Sequence, residues 1–125
     1  MIPKYILIVL FLVSTNVFGN EKTKGIPEDG EYIYQVRFAE WDNAYHSQDV
    51  KVIINVDSIK VYLYKGELTG LEVGDLFEEG LLRFHKQSGN WIIISDEQEL
   101  ELNDVGGCTG GPTVVDFENK IYEIC

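Results

Sequence analysis

The 125-residue sequence predicts an all-β fold: a small antiparallel barrel of about eight strands, with a two-sheet sandwich as the alternative. Three observations predict it. From residue 30 onward the apolar residues recur with period two, and no stretch shows the 3.6-residue period of an amphipathic helix. Turn-forming residues interrupt this alternation every eight to twelve positions. The hydrophobic content of 45% is enough for a core, and the length allows one domain.

The first element is an address. Met1 to Gly19 has one basic residue, Lys4, then an apolar run from Tyr5 to Val13, then a polar stretch ending in Val17 and Gly19. This is the pattern of a secretory signal peptide cut after Gly19. Ser14, Thr15 and Asn16 end the apolar run well short of the roughly 20 residues that span a bilayer, so no membrane span is expected after cleavage. The cut would leave 106 of the 125 residues. It would remove one of the ten basic residues and none of the 21 acidic ones, taking the formal charge from −11 to −12. Asn20 to Asp29, polar and containing Gly25 and Pro27, reads as a flexible leader, and the β domain is expected over residues 30–125.

Within that domain Tyr32, Tyr34, Val36 and Phe38 alternate with polar residues as one strand. Val50, Val52, Ile54 and Val56 form the next, and Ile59, Val61 and Leu63 the one after. A turn at Asp57-Ser58 would pair Val56 with Ile59, Ile54 with Val61 and Val52 with Leu63, all on one face. A short strand is expected between Glu67 and Val73. Leu81 to Lys86 and Trp91 to Ser95 form a hairpin around Gln87-Ser88-Gly89, which would set Phe84 opposite Ile92, Leu82 opposite Ile94, and His85 opposite Trp91 on the outer face. The acidic run Asp96 to Asp104, with Leu100 and Leu102 alternating inside it, reads as an edge strand blunted by charge. Thr113 to Phe117 and Lys120 to Cys125 form a last hairpin with Val115 opposite Tyr122.

Cys108 and Cys125 are the only cysteines. In an exported chain they predict a disulfide, which over seventeen residues would contribute roughly 3 kcal/mol and hold the C-terminal residue in place. Gly80, His85, Ser88-Gly89, Trp91-Ile92-Ile93, Val105-Gly106-Gly107-Cys108, Gly111-Pro112, Asp116-Phe117 and Cys125 together resemble a group of small secreted bacterial β proteins of unassigned activity. That resemblance implies secretion and a β domain, and it carries no catalytic residues across.

The charge argues against nucleic acid as a partner, since phosphate binding needs a basic patch. No serine sits in a nucleophile elbow, and His46 and His85 have no evident nucleophile beside them, so no catalytic residue is assigned and an enzyme is not expected. The run from Asp96 fails the hand-type calcium template, which wants glycine at its sixth position and glutamate at its twelfth; these are Glu101 and Gly107. No metal or other cofactor is expected. The glycines from Gly106 to Gly111 could form an anion nest, but read better as bends around a disulfide. Trp41, Tyr62, Tyr64, His85 and Trp91 are the candidate binding residues, assigned to outward faces or loops. The expected function is thus an exported, periplasmic or extracellular, non-enzymatic binding domain for a basic protein, of the kind that inhibits cationic hydrolases or acts as an immunity protein. The alternatives are a carbohydrate-binding module and a cell-wall-directed hydrolase.

Overall fold

The structure, a computed structural model, describes residues 24–41, 44–68 and 70–125, and the side chains of residues 41–47 lie outside the description. The predicted signal peptide, Met1 to Gly19, and the start of the leader fall outside the described residues. Seven strands are described: β1 (Gly30–Phe38), β2 (Ala44–Asn55), β3 (Ser58–Lys65), β4 (Leu76–His85), β5 (Asn90–Ile94), β6 (Thr113–Asp116) and β7 (Ile121–Ile124). They form one sheet that closes on itself in sequence order, so the two-sheet sandwich is excluded. Consecutive strands are antiparallel. With an odd number of strands, the first and last then run the same way. The ring accordingly closes through a short parallel seam, Gln35 to Phe38 beside Ile121 to Ile124.

The period-two residues fill the interior. Tyr34, Val36 and Phe38 of β1, Val50, Val52 and Ile54 of β2, and Ile59 and Val61 of β3 are buried together with Leu82, Ile93, Val115 and Tyr122. One end of the ring is stopped by a chain of edge-on and tilted rings, Phe84–Trp91–Phe117–Tyr34, with centroids 5.6 to 6.4 Å apart. The end of the leader lies over this stopper: Ile26 packs against the core, and a Cβ on Gly25 would meet the Trp91 ring at 3.1 Å. Gly80 marks the point where β4 leaves β3 and takes up β5. A Cβ there would lie 2.5 Å from the Ile94 carbonyl oxygen, so the two backbones approach only because the side chain is absent.

Several expectations are corrected. The β2–β3 turn is Val56-Asp57, one residue earlier than expected, which pairs Ile54 with Ile59, Val52 with Val61 and Val50 with Leu63. The inward face is unchanged because the pairing moved by an even number of residues. Distant groups hold this turn: Asp29 Oδ1 accepts from Val56 N at 2.7 Å, the Asp57 carbonyl accepts from Leu82 N at 2.7 Å, and Arg83 reaches Asp57 Oδ2 at 2.9 Å. Leu68 and Leu71 make a single bridge in place of the strand expected at Glu67 to Val73. β4 starts at Leu76, not Leu81. The acidic run is not an edge strand and pairs with no strand of the ring. It turns into a 3-10 helix, Glu97–Glu101, capped by the Asp96 carboxylate on Gln98 N at 2.9 Å.

The β4–β5 hairpin slips by one residue. Its loop has four residues, so Phe84 pairs with Trp91, Leu82 with Ile93 and His85 with Asn90. Trp91 and Ile93 turn inward, and Ile92 and Ile94 turn outward. The slip costs no burial because the outer face is covered by residues 95–112: Ile92, Ile94 and Val114 are buried against Leu81, Leu100 and Val105. The β6–β7 hairpin pairs Val115 with Tyr122 as expected.

The turn at Val56 carries strain. Its φ is 59°, in the left-handed region that β-branched residues avoid, and it is 57% exposed. Such strain costs about 1–3 kcal/mol, against about 0.5–1 kcal/mol for the greater chain entropy of glycine. Val56→Gly is expected to stabilise the domain by about 1 kcal/mol, read as a higher urea midpoint at an unchanged slope; a lower midpoint would show that the turn is relaxed.

Candidate functional site

β5 ends at Ile94, whereas β4 continues past Gly80 to Leu76. The wall of the ring therefore has a gap beside the first half of β4, and Glu78 spans it. Val61 lies opposite Glu78, which puts the carboxylate on the inner face. Tyr122 of β7 donates its phenol proton to Glu78 Oε1, and Thr113 of β6 donates to Oε2 at 3.2 Å. Burial, reinforced by the Glu78 charge and by donation to it, holds the Tyr122 phenol well above the usual tyrosine range.

A pocket of about 390 Å³ lies over this gap, between β4, the end of β5 and the covering segment. Three carboxylates wall it, Glu78, Glu79 and Glu99, with Ser95 and the Gly110-Gly111-Pro112 backbone completing the rim. No lysine or arginine lines it. Glu99 is fixed by Ser95, whose hydroxyl donates to Oε1 at 2.7 Å. The pocket can accept a cationic side chain. Among the described residues, no group of three or more histidines, cysteines and acids is placed to hold a metal ion.

This pocket sits in the charged half of the molecule. Residues 66–125 carry thirteen acidic side chains and three basic ones, while residues 30–65 carry five and four. β4–β7 and the segment that covers them, residues 76–125, carry ten of those acidic side chains and all three basic ones, and the other three acids lie in the loop before β4.

The five candidate binding residues do not converge. His85 is 1% exposed, held beneath the cover. Its Nε2 donates to the Leu102 carbonyl at 2.7 Å, which fixes the tautomer, and its Nδ1 lies 2.7 Å from the Ser88 hydroxyl and accepts from Ser88 N at 3.2 Å. Nε2 therefore pins the covering segment to β4, and Nδ1 holds the β4–β5 loop. Trp91 belongs to the aromatic stopper and points inward. The Trp41 side chain lies outside the described residues. Tyr62 and Tyr64 do share an outer face, around a second hollow with Lys51, Ile53 and Val73. That face is not covered by the chain: Tyr64 is 50% exposed and Val73 63%.

Cys108 and Cys125 form a disulfide with Cα atoms 4.7 Å apart. The bridge is compatible with an oxidising, exported location. The glycine-rich stretch serves as the bend around it, with Gly106 N donating to the Pro112 carbonyl at 2.7 Å and the Thr109 hydroxyl to the Gly106 carbonyl at 2.7 Å. In the acidic run Asp96 caps the short helix, Glu97 pairs with Arg83 at 2.8 Å and Glu99 holds Ser95.

Glu78 and Glu79 were the residues that sequence reasoning missed. A strand begun at Leu81 leaves both in a loop, yet Leu76-Phe77 before them and Gly80-Leu81-Leu82 after them continue one element. An acidic pair within a strand was the available signal. No family model matches the chain, and no curated protein and no solved structure matches it.

Proposed function

We propose that the chain is an exported, non-enzymatic domain that binds a basic protein through its acidic half. The observation that carries this reading is the pocket walled by Glu78, Glu79 and Glu99, with no basic side chain in its lining. A lysine or arginine of the partner enters there and finds three carboxylates in a partly dehydrated recess, where charge pairing is stronger than on open surface. The surrounding field, from the exposed acids of residues 96–104, accelerates encounter with a cationic surface. Export rests on the Met1 to Gly19 pattern and is supported by the disulfide. Small inhibitors of cationic lysozyme-type hydrolases and immunity proteins have this physical character.

Titrating the domain against a panel of basic and acidic proteins, a lysozyme-type hydrolase among the former, tests the reading. Binding should be confined to basic partners and should weaken steeply with salt. Glu79→Lys and Glu99→Lys should each weaken it about tenfold, mainly through a slower association rate. Binding that ignores salt, or a panel of basic proteins that all fail to bind while a glycan array gives hits, would replace it with the carbohydrate-binding alternative.

A further inference from the structure

β4 has ten residues and β5 five, and the pairing between them stops at Leu81 opposite Ile94. Leu76 to Glu79 therefore have β3 on one side and no strand on the other. The direction of their backbone groups follows from alternation. Leu82 N donates to the Asp57 carbonyl on the β3 side, so Gly80 and Glu78 turn their N–H and carbonyl groups toward β3 as well. Leu81 and Glu79 turn theirs the other way. Those of Leu81 meet Ile94, whereas those of Glu79 open into the gap and make no hydrogen bond to any described residue. Glu79 is exposed, as are Leu76 and Phe77 before it. An open edge of this kind is a template for another strand.

This edge borders the acidic pocket. The floor beside it is made of side chains that cross from β4 to β6 and β7: Glu78 with Tyr122 and Thr113, and the Phe77 ring edge-on to Tyr122. The rim at Gly110-Gly111-Pro112 is backbone, and a Cβ on Gly110 would meet nothing within 4 Å. Unpaired backbone groups and carboxylates without a basic neighbour thus share one recess. A single kind of ligand satisfies both, an extended chain that carries a cation.

We infer that a basic partner enters this recess as an extended segment, which adds a strand to the Leu76–Glu79 edge of β4 in line with β5. The inference rests on the reading of the pocket as a site for basic proteins and specifies the form in which they bind. The register assigns the charge. In antiparallel pairing the residue opposite Glu79 exchanges both backbone hydrogen bonds with it, and its side chain stands on the same face as the Glu79 carboxylate. That face is the outer one, where Glu99 of the cover also borders the pocket. A lysine or arginine at this position lies between Glu79 and Glu99. Its neighbours in the segment turn toward Glu78, which Tyr122 and Thr113 already hold, so small uncharged residues suit those positions.

The test uses the unaltered domain and a capped hexapeptide of alternating valine and lysine. One version is N-methylated at the lysine amides and another at the valine amides. The lysine whose side chain lies between Glu79 and Glu99 spends its own N–H on Glu79, whereas the valine N–H groups point to the opposite edge of the added strand. In nuclear magnetic resonance titrations the unmodified and valine-methylated peptides should bind alike, and the lysine-methylated peptide at least about tenfold more weakly. The Glu79 amide should exchange rapidly with water in the free domain and slowly in the complex. Equal binding of the two methylated peptides, or an equally fast Glu79 amide in the complex, overturns strand addition and leaves the pocket as a site for one cationic side chain. A basic protein that binds while the unmodified peptide does not also overturns strand addition alone. Failure of basic proteins and peptides together removes the reading of the pocket, and strand addition with it.

Discussion

Replacing Cys108 and Cys125 together by serine is expected to cost the domain about 3 kcal/mol, the loop-closure value for a bridge spanning seventeen residues. Against a total stability of about 5–15 kcal/mol this is a large share. The loss should also be local in its structural effect. The seam between β1 and β7 has only four paired positions, and β7 itself has only four residues. The bridge anchors the last residue of the chain to the covering segment, beside Gly106, which packs on Val114, and Gly107, which packs on Ala39 just after β1. Without it, β7 and the cover each lose a fixed end. Native-state hydrogen exchange should show amides of Gln35 to Phe38 and Ile121 to Ile124 opening first, with β2 and β3 protected to the global limit. Uniform loss of protection would mean that the ring opens as one unit; an unchanged denaturant midpoint would mean that the bridge holds nothing.

The same parts of the chain separate what could be read from sequence from what could not. Strands with one apolar face, β1, β2 and β3, announced their inward residues, since Tyr34, Val52 and Val61 all occupy the interior as alternation requires. Where both faces are apolar, alternation is silent. Ile92, Ile93 and Ile94 are all buried, so a one-residue slip leaves the sequence pattern equally satisfied. That slip moved Trp91 to the interior, although His85 stayed on the outer face as expected. What made His85 inaccessible is the cover, whose Leu100 and Leu102 alternate like a strand; Leu100 instead packs on the outer apolar cluster, and Leu102 offers its carbonyl to His85. Nothing local in residues 95–112 specifies that docking; it follows from the apolar outer face of β5. Tyr62 and Tyr64 were legible as outward residues because β3 is polar on that face. The Glu78 pocket was not, since it exists only because β5 is shorter than β4.

Raising the pH above 10 is expected to destabilise the domain more steeply than solvent-exposed tyrosines alone would do, and Tyr122→Phe should remove part of that slope. Burial, with charge from Tyr32 and Asp116, pushes the Tyr34 phenol up to about 12, and Tyr122 is raised further by burial and by Glu78. In the unfolded chain both phenols lose their protons near pH 10. Between there and the folded values the native state holds protons that the unfolded state has released. Stability therefore falls as pH rises, by up to about 1.4 kcal/mol per pH unit for each of the two tyrosines. The contribution of Tyr34 levels off near pH 12, and that of Tyr122 continues. Tyr122→Phe keeps the ring in the interior and its edge contact with Phe77, centroids 5.9 Å apart, but takes a donor from Glu78 and leaves that carboxylate with Thr113. Its cost at pH 8 should be about 1–3 kcal/mol, and the difference between variant and parent should shrink as pH rises from 10 to 12. Urea midpoints at four or five pH values measure this. A difference that stays constant would place the Tyr122 phenol within reach of water, and the gap beside β4 would then be open to solvent through to β7.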